Sequence, residues 1–196
     1  MELTLTSACS TSTPAPPSGS FLDTTLAAVA LLRRLLAILP PPEQISTTDW
    51  SSQHRGLSAK ASAMPGRYNP AITPWVAGMH AALDDPTVYK VVAQKSAQVA
   101  WTDGVLLNYI GKRIDTDPCA MIVMFAKEKA AKRFNLEKFE PMVEASPRLA
   151  DKIPVHKRKD KNNLWDLKSF PGGLLKFVAS NAPDEVKSTP APVVAV

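Results

Sequence analysis

The residues best placed by type and spacing to do chemistry lie in the run Val91 to Asp103, VVAQKSAQVAWTD. A phosphate-binding loop needs a strand, a tight turn that exposes successive backbone N–H groups, and a helix N-terminus aimed at the anion. It also needs a lysine to offset phosphate charge and a Ser or Thr hydroxyl to ligate Mg²⁺. Measured against G-x-x-x-x-G-K-[ST], Lys95 stands at the first glycine position and Ala100 at the second. Trp101 stands at the lysine position and Thr102 at the Ser/Thr position, so only Thr102 matches. On the pattern alone the run reads first as an ordinary strand-to-helix turn, with phosphate binding the lesser reading.

Other reactive residue types are less organised. His54, His80 and His156 lack the partner spacing of a metal site or a catalytic triad, so they imply no hydrolytic centre. Cys9 and Cys119 form no disulfide framework or zinc motif and read as free thiols. Lys157, Arg158, Lys159 and Lys161 form a basic run that reads as a solvated loop or as a contact to DNA phosphate. Asp184 and Glu185, beside a proline in a polar stretch, read as surface charges.

The composition limits the partners and the class. Of 196 residues, 45% are hydrophobic and 21% charged, which excludes a wholly disordered chain. A net charge of +5 is compatible with a polyanion partner without demanding one. The longest apolar stretch, Leu26 to Leu39, is broken by Arg33 and Arg34 and is too short to span a bilayer. Residues 1–20 carry no Lys or Arg, so no basic signal-peptide region is expected, and the default location is cytoplasmic.

The elements that position the loop follow from periodicity and breakers. Residues 1–20 are Ser/Thr/Pro-rich and predict a disordered tail. Phe21 to Leu39 predicts a helix, capped by Asp23 or Thr24, stopped by Pro40-Pro41-Pro42, with Leu26, Val29, Leu32, Leu36 and Leu39 on one stripe. Thr47-Thr48-Asp49 predicts the cap of a short helix containing Trp50. A helix is expected over 74–83, entered through Pro74, then a buried strand over Val88 to Ala93 and a helix from Asp103 to Ile114. Ala120 to Ala126, without alternation, predicts a strand covered on both faces. Lys127 to Glu144 predicts an amphipathic helix with Ala130, Phe134, Met142 and Val143 inward. Residues 164–180 predict a hairpin turning at Pro171-Gly172-Gly173, and APVVAV at 191–196 a last strand. The order indicates an α/β domain with parallel strands wrapped by helices.

The segments STTDW, GRYNPAITPW, LDDP, KSAQVAWTDGVLLNYIGKRIDTDP, AMIVMF, FEPMVEASPRLADKI, FPGG and SNAPDEVKSTP occur in an order that resembles a known family. From about residue 30 to 196 the chain is similar to the N-terminal ATPase half of the large terminase subunit of lambda-type tailed phages. That resemblance implies a P-loop NTPase-like parallel sheet flanked by helices, incomplete, with a helical N-terminal lead-in. It implies a tail over 1–20, a lead-in over 21–60 and a truncated ATPase domain over 61–196. It also implies ATP and Mg²⁺ as cofactors. Lys95 then matches the family's nucleotide lysine at the start of the loop, with Trp101 tolerated in place of a second lysine. The backbone of Ser96, Ala97, Gln98, Val99, Ala100 and Trp101 would cradle the phosphates, and Thr102 would hold Mg²⁺. Trp75 matches an aromatic that stacks on adenine, or packs its helix on the sheet. Ala100 departs from the family's glycine, whose backbone tolerates φ > 0 and close phosphate approach.

The family also implies double-stranded DNA, a small terminase subunit and a capsid portal as partners, an oligomer when complete, and the host cytoplasm as location. An Asp and a Glu should end the strand that APVVAV begins, and a nuclease domain should follow; neither lies within the 196 residues. The expectation is therefore a truncated or split gene product without turnover. The alternative is a catalytically dead basic α/β module that binds DNA or terminase partners.

Overall fold

The computed structural model describes Thr25 and residues 28–34, 44–153, 164–181 and 190–196. The chain divides into two compact units, Met1–Pro41 and Pro42–Val196. In the first, residues 28–34 are helical (α1). The 1–20 tail, most of the 21–39 helix, the basic run 157–161, His156 and the Asp184-Glu185 pair lie outside the described residues.

The second unit begins with α2 (Thr47–His54). Its cap is Ser46, one residue before the expected Thr47: the Ser46 hydroxyl accepts from the Asp49 N–H at 3.0 Å and donates to the Asp49 carboxylate at 2.6 Å. Two short strands follow, β1 (Gly56–Leu57) and β2 (Gly66–Arg67), then a 3₁₀ turn at Pro70–Ile72 and α3 (Val76–Asp84). A widened helical segment, Trp101–Leu106, runs straight into α4 (Leu107–Thr116), so the expected 103–114 helix is present and longer.

Strand β3 (Ala120–Phe125) is central in a four-stranded sheet of order β4-β5-β3-β6, with β4 at Leu167–Phe170, β5 at Gly173–Ala179 and β6 at Val193–Ala195. It pairs in parallel with β5, from Ala120 opposite Leu174 to Phe125 opposite Ala179, and with β6, from Met121 opposite Val193 to Val123 opposite Ala195. The expected hairpin forms: β4 runs antiparallel to β5 across Pro171-Gly172, and Gly172 has φ 86°. The sheet is therefore mixed. As the unalternating AMIVMF run implies, Met121, Ile122 and Val123 are all buried.

Between β3 and β4 lie α5 (Glu128–Phe134), wide turns at Asn135–Phe139, α6 (Glu140–Ala145) and α7 (Pro147–Ala150). Phe134, Met142 and Val143 face inward as expected, but Ala131 takes the buried place assigned to Ala130, which is exposed. Phe134 and Phe139 each meet Phe177 of β5 edge-on, with centroids 5.6 Å apart.

The expected strand at Val88 to Ala93 does not form. Val88 to Ser96 is irregular backbone, Tyr89 is 99% exposed and Val92 79% exposed. β-branched residues favour a pleated, half-buried surface only where a neighbouring strand supplies one, and no described strand pairs with this run.

The core joins α2 to α4. Leu107, Ile110 and Ile114 recur on one face of α4, and Trp50 packs over Gly111 between them. The Trp50 indole N–H donates to Asp115 Oδ2 at 2.8 Å, while Lys152 Nζ and Arg148 Nε reach the same carboxylate at 2.8 and 2.7 Å. Burial alone would raise the Asp115 carboxyl, but the hydrogen bonds from Lys152 and Trp50 outweigh it and hold the group below the usual carboxylate range. Among the described residues no helix is long and apolar enough to cross a membrane.

Helix propensity alone favours Ala over Gly at Gly111 by about 1 kcal/mol. The added Cβ would lie 2.4 Å from Trp50 Cη2, on a ring that Asp115 holds in place, and overpacking a core costs about 1–3 kcal/mol. Gly111→Ala is therefore expected to lower the unfolding free energy in urea titrations. A stabilised variant would contradict this packing.

Candidate functional site

The loop between α3 and α4 starts where Asp85 ends α3: its carboxylate accepts from the Thr87 N–H at 2.8 Å and the Thr87 hydroxyl at 2.6 Å. The chain then runs exposed to a turn at Ala97-Gln98. Gln98 and Ala100 both have φ 58°. Ala100, with ψ 20°, lies in the left-handed region immediately before the helix. The backbone therefore adopts at Ala100 the conformation for which the phosphate-loop pattern uses glycine, at a cost of about 1–2 kcal/mol for a residue with a Cβ.

The geometry leaves donors unused. Among the described residues, the backbone N–H groups of Ser96 to Ala100 have no intramolecular acceptor, and the first N–H groups of a helix have none by construction. Lys95 is exposed and makes no hydrogen bond or ion pair to a described residue. Thr102 is half-buried, and its hydroxyl is likewise unpaired among them. Trp75 is brought against the loop: its indole N–H donates to the Val99 carbonyl at 3.2 Å, while the side chain stays 52% exposed.

The helix start is held from behind by residues that spacing did not single out. The Gly104 N–H donates to the Ala100 carbonyl at 2.6 Å, closing the first turn. The Gly104 carbonyl accepts from Asn108 Nδ2 at 2.6 Å and from His80 Nε2 at 2.7 Å. The next turn is wide, with the Leu107 N–H on the Thr102 carbonyl. The Arg55 guanidinium donates to the Asp103 carbonyl and to Asn108 Oδ1, lies 3.8 Å from the Asp103 carboxylate, and stacks 5.2 Å from the Tyr68 ring centroid. Lys138 Nζ reaches the other Asp103 oxygen at 3.0 Å.

His80 is 1% exposed. A carbonyl only accepts, so Nε2 carries the proton, and Nδ1 accepts from the Thr48 hydroxyl at 2.9 Å. Burial pushes the imidazole below its ordinary value near 6.5; the Gly104 carbonyl and Asp84 oppose this, and Arg55 and Lys112 add to it. Burial also pushes the Arg55 guanidinium down, to about 10, against the attraction of Asp103, so it remains charged at neutral pH. The sequence signal for His80 was its place one turn from Val76 on the buried face of α3. His54 lies elsewhere, with its Nε2 2.9 Å from Arg148 Nη1.

Two outcomes test this geometry. A folded state that binds the His80 proton less readily than the unfolded chain is stabilised fully above about pH 6.5 and loses that stability as the pH falls toward the folded value. Denaturation between about pH 7.5 and 5.5 should therefore cost the wild type more stability than His80→Gln, whose amide can serve both partners; equal losses would contradict the neutral clamp. Ala100→Gly relieves about 1–2 kcal/mol of left-handed strain against about 0.4–1 kcal/mol of unfolded-state entropy. A net gain in stability is expected, and a loss would place Ala100 outside that conformation.

The sequence pattern of the family described as phage terminase large subunit gpA, ATPase domain, matches residues 62–196. No curated protein and no solved structure matches the chain. The matched segment includes the loop, both flanking helices and all four strands of the main sheet, and the chain belongs to the family of the phage terminase large subunit gpA ATPase domain.

Proposed function

We propose that the loop from Lys95 to Thr102 holds the triphosphate of ATP, and that the chain serves the ATPase part of a motor that packages double-stranded DNA. Family membership supports nucleotide use in general. The observation that carries the site is the left-handed backbone at Ala100, φ 58°, together with the N–H groups from Ser96 to Ala100 that are unpaired among the described residues. Successive amides of this kind beside a helix start form a concave anion site.

The roles follow from chemistry. Lys95, long and unpaired among the described residues, neutralises β/γ-phosphate charge. The amides of Ser96, Ala97, Gln98, Val99, Ala100 and Trp101 cradle the phosphate oxygens, and the Trp75 ring stacks on the base while its N–H steadies Val99. The donor set suits an anion. For Mg²⁺ the chain offers one oxygen, the Thr102 hydroxyl, which fits an ion held mainly by phosphate and water. In this reading residues 61–196 are the ATPase domain and 21–60 a helical lead-in. Double-stranded DNA, a small terminase subunit and a capsid portal are its partners, in an oligomer in the host cytoplasm.

One observation favours a second reading, a basic module without turnover. Asp103, the carboxylate adjoining the loop, is occupied by Lys138 at 3.0 Å and Arg55 at 3.8 Å and is not free to accept a proton from water.

Equilibrium binding of a fluorescent ATP analogue tests the site. Wild type should bind, Ala100→Gly should bind at least as tightly, and Lys95→Ala should lose about tenfold or more, the worth of one charge-assisted contact. Equal affinities for wild type and Lys95→Ala, or no binding by either, would defeat the proposal. Phosphate release under the same conditions separates turnover from binding alone.

A further inference from the structure

A cavity of about 400 Å³ lies among the β1–β2 hairpin, the end of α2 and the junction of α6 with α7, and none of residues 95–102 lines it. Two wall residues, Gly56 and Gly66, contribute no side chain to fill it. A Cβ on Gly56 would fall 1.9 Å from the Ala145 carbonyl oxygen, so the hairpin backbone meets the end of α6 directly. Gly66 has φ 128°, a conformation that side chains rarely adopt.

The lining includes Arg55, Arg67, Arg148 and His54, and no carboxylate. Arg67 is exposed and makes no hydrogen bond or ion pair to a described residue. Arg148 pairs with Asp115 at 2.7 Å, a carboxylate that Lys152 also reaches at 2.8 Å. Arg55 likewise shares Asp103 with Lys138. Three arginines and no carboxylate thus line the cavity. The Arg148 guanidinium, which can only donate, approaches His54 Nε2 at 2.9 Å, so that nitrogen is the acceptor and the ring adds no competing proton there. Gln53, exposed at the rim, adds an amide donor, and Leu57, Ala145 and Pro147 supply apolar wall.

We propose that this cavity binds a phosphate group, with the Arg67 guanidinium as its charged donor and the Gln53 amide as a neutral one. Guanidinium presents paired N–H groups that match phosphate oxygens two at a time. The volume, about 400 Å³, falls in the range of small-ligand pockets and leaves room for the group that carries the phosphate. That carrier is either a nucleic-acid backbone or a free phosphate compound; the recognising chemistry is the same. This site does not rest on the reading of the Lys95–Thr102 loop.

The test follows the backbone amide resonances of the isotope-labelled full chain during titration with inorganic phosphate, with chloride holding the ionic strength constant. Saturable shifts are expected at Gly56, Leu57, Gly66 and Arg67. They should weaken about tenfold or more in Arg67→Glu and in the milder Arg67→Gln, and persist in Lys95→Ala. A short DNA duplex that produces the same shifts at lower concentration, displaced by excess phosphate, identifies a backbone phosphodiester as the source. Phosphate saturation without a duplex response identifies a free phosphate compound. Absence of saturation, equal shifts with acetate, undiminished binding in both Arg67 variants, or loss in Lys95→Ala matching theirs would overturn the proposal.

Discussion

The carbonyl of Gly104 is the point on which the site depends. It accepts from His80 and Asn108 at 2.7 and 2.6 Å, and the neighbouring Asp103 carbonyl accepts from Arg55. Side-chain donors thus satisfy carbonyls at the mouth of α4, where the helix opens into a wide turn. Such a start is tolerable only where buried polar groups find partners, because an unpaired buried group costs about 1–3 kcal/mol. One imbalance remains: Arg55 Nε is buried without a partner among the described residues.

The same contacts tie three helices together. His80 of α3 reaches back to Thr48 of α2 as well as forward to Gly104. Asp84, at the other end of α3, accepts from the Thr47 N–H and hydroxyl, each at 2.6 Å, and from Lys112 of α4 at 2.7 Å. Burial would raise the Asp84 carboxyl, yet the bonds from Lys112 and Thr47 prevail and hold it below the ordinary range. Trp50 and Asp115 add a third link between α2 and α4. Helices fixed to one another in this way can bear the left-handed backbone at Gln98 and Ala100, which an isolated loop would relax.

What the sequence made legible was local. The continuous apolar run of β3, the Pro171-Gly172 hairpin and the helix after the loop each follow from a few neighbouring residues, and each forms. Ala100 was legible as a strained position because the phosphate-loop pattern places glycine there. Val88 to Ala93 misled because β-branched composition was read without knowing whether a strand would lie beside it. The roles of Arg55, His80 and Asn108 were not legible for a related reason. Their partners lie 48, 24 and 4 residues away, and only the fold brings Arg55 and His80 to the carbonyls they hold. The arginine-lined cavity is likewise assembled from three separate segments and has no motif.

The central claim is that the strained loop, braced by the Gly104 clamp, offers its free amides to a triphosphate. Amide hydrogen exchange with and without Mg·ATP tests it most directly. Protection confined to residues 96–103, the loop and the first turn of the helix after it, is the expected result. Exchange at those amides that is unchanged by saturating Mg·ATP would contradict the account.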